Sequence, residues 1–156
     1  MFALRDTVAA LDLETLHIGG PTRDVVVIGS GNSELDEYAR EAGLSQGRVL
    51  APDPNPEQGF YYRSDSLSFA RSGVPALFAR GGVDDAARGP AWGRQQFTDY
   101  LAHRYQQVGD KYSPDWDVRG ALQDLRLYYE VGNRLARTRR FPRFYPESEF
   151  RQDHPP

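Results

Sequence analysis

Between Asp24 and Gly29 the chain places four β-branched residues in succession, Val25, Val26, Val27 and Ile28. Branching at Cβ favours extended backbone, and the absence of polar alternation means that neither face of this strand meets water. A strand covered on both faces needs a layer of structure on each side of its sheet. The segments around it supply such layers, because β-like and helix-like patterns alternate along the chain. The expected fold is therefore an α/β, partial three-layer sandwich, a mostly parallel sheet flanked by helices.

Further strands are expected at Ala10 to Leu16, Arg48 to Ala51 and Val74 to Arg80. Helices are expected from Asn32 or Ser33, as cap, to Ala42 with Gly43 as the stop, over Ser64 to Ser72, and from Asp117 onward. In the last helix Val118, Ala121, Leu122, Leu125, Tyr128, Tyr129 and Leu135 mark the apolar face. Pro52-Asp53-Pro54-Asn55-Pro56 breaks regular structure. Val83 to Ser113 reads as a loop or lid around a helix at Gln95 to Tyr105. Residues 1–140 form the expected domain, and 141–156 an extended tail that packs as a strap before fraying.

Several functions are disfavoured at once. No apolar run approaches the length needed to span a bilayer, and Arg5 and Asp6 stand where a signal peptide keeps its apolar stretch. The chain as written is expected to be soluble and without a secretory signal. The 156 residues contain no cysteine, which removes thiolate chemistry. All 19 basic residues except Lys111 are arginine, but they are spread along the chain and the net charge is −3, the wrong sign for a nucleic-acid footprint. Gly29-x-Gly31-x-x-Glu34 follows a strand and precedes a helix. It places a carboxylate where a dinucleotide loop needs a third glycine, so a tight turn is the better reading. The histidines His17, His103 and His154 form no ligand pair. A serine nucleophile would be Ser30, Ser64 or Ser66, and Ser30 is not on a nucleophile elbow, because Ile28 stands where the first glycine of G-x-S-x-G belongs.

The most specific stretch is Tyr62-Arg63-Ser64-Asp65-Ser66-Leu67-Ser68-Phe69-Ala70-Arg71-Ser72-Gly73-Val74-Pro75-Ala76. It resembles the segment Y-R-S-D-H-x-x-F-A-x-x-G-V-P-A of the di-zinc aminopeptidase family, which also includes glutaminyl cyclase and the glutamate carboxypeptidases. Thr22 to Gly29, Gln46 to Pro54 and Asp110 to Asp117 extend the likeness over nearly the whole chain, which corresponds to the C-terminal portion of the family's catalytic domain. The resemblance implies a zinc exopeptidase fold and zinc-dependent removal of N-terminal residues from peptides. It implies Tyr62, Arg63, Ser64 and Asp65 as lining of the substrate pocket. It aligns Glu14 with a zinc-binding aspartate, for which a strand-end carboxylate facing water is the plain alternative, and Gln106 with a histidine ligand. Ser66 stands where a pocket histidine is common.

The family's H-x-D and Glu-Glu pairs occur nowhere in this sequence. The isolated chain is accordingly expected to be inactive. An upstream segment or a separate chain would have to supply the missing ligands, and export would follow if the chain belongs to a longer family-like precursor; missing N-terminal strands would leave an exposed sheet edge or apolar face and lead to association with a partner chain, to a homo-oligomer or to poor solubility. A non-catalytic peptide- or protein-binding module of the same fold is the alternative.

Overall fold

The computed structural model describes residues 3–151. Four strands, β1 (Ala10–Asp12), β2 (Asp24–Ile28), β3 (Val49–Ala51) and β4 (Ala76–Gly81), form one sheet in the order β1-β4-β2-β3. β1 runs parallel to β4, with Asp12 opposite Phe78, and β2 parallel to β3; β2 and β4 are antiparallel. The sheet is thus mixed and mostly parallel. Helices α1 (Leu35–Ser45) and α4 (Arg119–Arg137) cover one face, where Leu35, Ala39, Leu127 and Val131 pack on Val25, Val27, Leu77 and Ala79. Helix α2 (Ser66–Arg71) and the 3-10 turn Phe60–Arg63 cover the other, where Tyr61 and Ala70 meet Val26, Ile28 and Phe78. Burial of all five β2 residues follows from this double cover.

Several boundaries differ from expectation, each for a local reason. β1 ends at Asp12, because the Asp12 carboxylate accepts the Glu14 amide at 3.1 Å and turns the chain. Gly43 does not stop α1. It lies buried where a Cβ would come 3.5 Å from Val25, so it serves close helix–sheet packing, and the chain leaves the helix at Gly47 with φ +70°. Glu34, not Asn32 or Ser33, is the N-cap residue of α1.

α3 (Gly89–His103) begins six residues before the expected Gln95, with a proline in its first turn and no fully buried residue to mark its apolar side. α4 starts two residues after Asp117, which still accepts the Arg119 amide at 3.1 Å. Its inward face is Gly120, Asp124, Leu127, Tyr128, Val131 and Leu135, whereas Val118, Leu122, Leu125 and Tyr129 of the expected apolar face are exposed, Tyr129 at 73%. Tyr128 and Leu135 of the expected face do point inward, but a buried aspartate joins them and four apolar residues lie outside.

The segment 142–151 crosses the α2 side of the sheet. Phe150 is buried against Tyr61 and Phe144, with ring centroids 5.6 and 6.3 Å away. Phe144 bridges to Ser33, and Tyr145 donates its amide to the Asn32 carbonyl at 2.9 Å. The expected fraying of the last residues falls outside the described residues, as does His154.

Candidate functional site

Because β1 and β4 are parallel, their C-terminal ends open at the same edge of the sheet, a usual place for a site in α/β proteins. Glu14 and Thr15 follow β1, and Phe78 and Arg80 come from β4. With Phe60 and Arg63 of the 3-10 turn and Phe97, Tyr100, Leu101 and Tyr105 from α3 and its exit, they line a cavity of about 30 Å³. Aromatic rings form most of the wall: Phe60 lies 6.5 Å from Phe97 and 5.8 Å edge-on from Tyr105, and Tyr100 lies 5.9 Å from Tyr105. Three charged groups enter this apolar shell. Arg80 stacks on Phe97 at 4.3 Å and on Phe60 at 5.8 Å, while Arg63 lies 5.1 Å over the same Phe60 ring.

Glu14 is the third charge. Burial, followed by the nearby Asp12 and Asp65 carboxylates, pushes its carboxyl above the usual range, although Arg63 pulls the other way. Its neighbour Asp12 is fully engaged, accepting the Ser66 amide at 3.1 Å and the Ser66 hydroxyl at 2.8 Å on Oδ2. Ser66, 1% exposed, thus ties α2 to β1. Gln106 follows Tyr105 in an exposed turn, with φ +56°. His103 is exposed and holds Asp99 through Nδ1 at 3.1 Å.

The four residues implied as pocket lining part company. Arg63 faces the aromatic cavity. Tyr62 lies across Phe60, along an open groove of about 610 Å³ that also includes Ser30, Arg40 and Asp53, and its hydroxyl donates to Glu149 of the tail. Ser64 is buried and donates to the Tyr61 carbonyl at 2.9 Å, and Asp65 is exposed at the start of α2. Ser30 donates to Asp36 at 3.2 Å, so each candidate serine hydroxyl is spent on a carboxylate or carbonyl.

The Gly29-x-Gly31 turn is equally committed. Asp36 accepts the Gly31 amide at 2.7 Å, a Cβ at Gly29 would collide with the Tyr61 ring, and Glu34 at the head of α1 holds Arg140 and the Arg143 amide of the tail. Its purpose is to seat the strap on the sheet.

Behind the cavity lies a polar cluster that sequence reasoning missed. Asp124 accepts Arg48 at 3.0 Å on Oδ1, and the His17 and Gly81 amides at 3.1 and 3.0 Å on Oδ2. Arg48 also donates to the Thr22 hydroxyl and the Asp24 carbonyl, each at 3.0 Å. The pair is 1% and 2% exposed and joins α4 to the ends of β2, β3 and β4. Asp124 stands four residues after Gly120 on the helix face; that periodicity is the only signal the sequence offers for it.

A mixed sheet covered by helices on both faces, with a cavity at the strand ends, defines the class: an α/β domain of the zinc exopeptidase type. The sequence profile of peptidase family M28 matches residues 2–129, and the chain belongs to that family of zinc-using metallopeptidases. No curated protein and no solved structure matches it.

The described residues do not assemble a zinc-ligand set. Among the described residues no three His, Cys, Asp or Glu side chains cluster as ligands. Glu14 has Asp12 beside it, but both Asp12 oxygens already accept hydrogen bonds. No helix of the described residues is long and apolar enough to cross a membrane.

Proposed function

We propose that this chain is the peptide-cradling, C-terminal part of a zinc-aminopeptidase-type domain and does not hydrolyse peptide bonds as an isolated chain. The observation that carries this reading is the state of the two carboxylates after β1. Asp12 is consumed by Ser66 and the Glu14 amide, which leaves Glu14 with no second available donor among the described residues. An amide at position 106 adds little, since a neutral amide oxygen is a weak zinc ligand beside imidazole. On this reading Glu14 and Gln106 occupy former ligand positions. Arg63 and Tyr62 line two hollows on either side of Phe60, with Ser64 and Asp65 holding the turn between them and α2.

The second reading, a non-catalytic peptide- or protein-binding module, draws on the same substitutions. Here Ser66, in place of a pocket histidine, turns Asp12 into a structural anchor. The two readings part on rescue. Chain equilibrated with zinc is dialysed, its metal content measured, and turnover of aminoacyl-coumarin substrates followed with and without added family segments carrying the H-x-D and Glu-Glu pairs. The first reading expects no stoichiometric zinc in the isolated chain and activity on complementation; the second expects none under either condition. Stoichiometric zinc with peptide cleavage by the chain alone refutes both.

A further inference from the structure

Arg80 lines the aromatic cavity at the ends of β1 and β4. It is half-buried, stacked on Phe97 and Phe60, and among the described residues its guanidinium makes no hydrogen bond and no ion pair. Arg63, over the other part of the same Phe60 ring, likewise makes none among the described residues. Glu14 lines the same cavity without pairing to either arginine. Burial depresses the Arg80 pKa from the ordinary arginine range, against the weaker pull of Asp53 and Asp124, which act without touching it. A guanidinium set in an apolar wall gains more from an anionic acceptor than one in open water, because the contact is screened less there. The space beside Arg80 is about 30 Å³, room for a small group. Stacked aromatic faces hold the guanidinium plane while leaving its N–H edge for a bidentate acceptor.

We infer that the Arg80 cavity binds the carboxylate of a peptide ligand, with Arg63 as a second cation at its mouth. The inference rests on the reading that the chain binds peptides, and it adds the chemical group by which the ligand is recognised. The ligand head is a monovalent planar anion, held between guanidinium and aromatic walls. It comes either from a peptide C-terminus or from an acidic side chain.

The test uses the full chain. Acetate is titrated first, followed by the Arg80 Nε–H signal in NMR; a saturable shift in the wild type, absent with acetamide, is expected, and no shift overturns the inference without any variant. Four blocked tripeptides then separate the sources: one with a free C-terminus and no acidic residue, its C-terminal amide, an amidated peptide containing Glu, and its Gln counterpart. The acid of at least one pair should bind about tenfold or more tighter than its amide, and that difference should vanish in Arg80→Gln. Arg80→Lys, which keeps the charge and loses the fork, should retain part of it. Arg94→Gln, an exposed α3 residue outside the cavity, should leave it unchanged. Thermal melts establish that each variant is folded. Equal binding of acid and amide, an unaltered preference in Arg80→Gln, or inorganic phosphate displacing acetate at lower concentration overturns the inference while leaving peptide binding intact. Acetate binding at Arg80 with no peptide binding refutes the peptide reading instead.

Discussion

Replacing Asp124 by Asn should destabilise the fold by about 3–5 kcal/mol, the usual cost of breaking a buried ion pair from one side. Asparagine keeps the shape and one acceptor oxygen. It serves the His17 and Gly81 amides only by turning its NH2 group toward Arg48, which sets donor against donor at a site 1–2% exposed. The Arg48 guanidinium retains Thr22 and the Asp24 carbonyl but loses its carboxylate contact with Asp124. For a chain of this size about 2–4 °C accompany each kcal/mol, so the melting temperature should fall by roughly 6–20 °C.

Arg48→Met alone should cost less, because Asp124 keeps two backbone donors. In the double variant the uncompensated cation is gone, and a double-mutant cycle by urea denaturation should return a coupling of about 2 kcal/mol or more. A loss below about 1 kcal/mol for Asp124→Asn, or a coupling indistinguishable from zero, would refute the assignment of this pair as the joint between α4 and the sheet.

Burial holds the His17 imidazole below the ordinary histidine range; the nearby Asp124 and Asp24 favour its cation, while Arg80 and Arg48 oppose it. A lowered folded pKa means that its stabilisation is present above about pH 6.5, the unfolded value, and is lost as pH falls below it. Thermal melts from pH 7.5 to 5 should show this decline, reduced in His17→Gln; an equal decline in the variant would place the titration elsewhere. Phe150→Ala removes a buried ring that packs on Tyr61 and Phe144, and should cost about 2–4 kcal/mol in urea unfolding. A loss below about 1 kcal/mol would mean that the strap merely rests on the sheet. Arg80→Met should leave stability within about 1 kcal/mol of the wild type, since the half-buried guanidinium gives up only its stacking on Phe97 and Phe60. A larger loss would show that Arg80 makes stronger contacts than stacking.

Much of the scaffold was legible because its signals are local. Four β-branched residues announce a doubly covered strand, Gly73 closes α2 at φ +80°, and the Tyr62 to Ala76 stretch carries the family likeness. α3 was only half visible, since a helix with no fully buried residue has little periodic contrast. The outward Leu122 and Leu125 and the inward Asp124 misdirected the reading of α4, because a helix pattern assumes that polar groups face water. The candidate site was legible as residue types and not as neighbours. Tyr62 and Arg63 are adjacent in sequence yet enter different hollows, with Phe60 between them.

By itself the sequence determined the layers, the order of elements and the family, for these depend on residue identity and short-range spacing. Tertiary structure alone decided that Asp12 spends its carboxylate on Ser66, that Asp124 neutralises Arg48 across 76 positions, and that Arg80 stacks on Phe97 and Phe60. The reason is physical: the energy of a charge depends on what surrounds it after folding, and pairing across the sheet leaves no periodic trace along the chain.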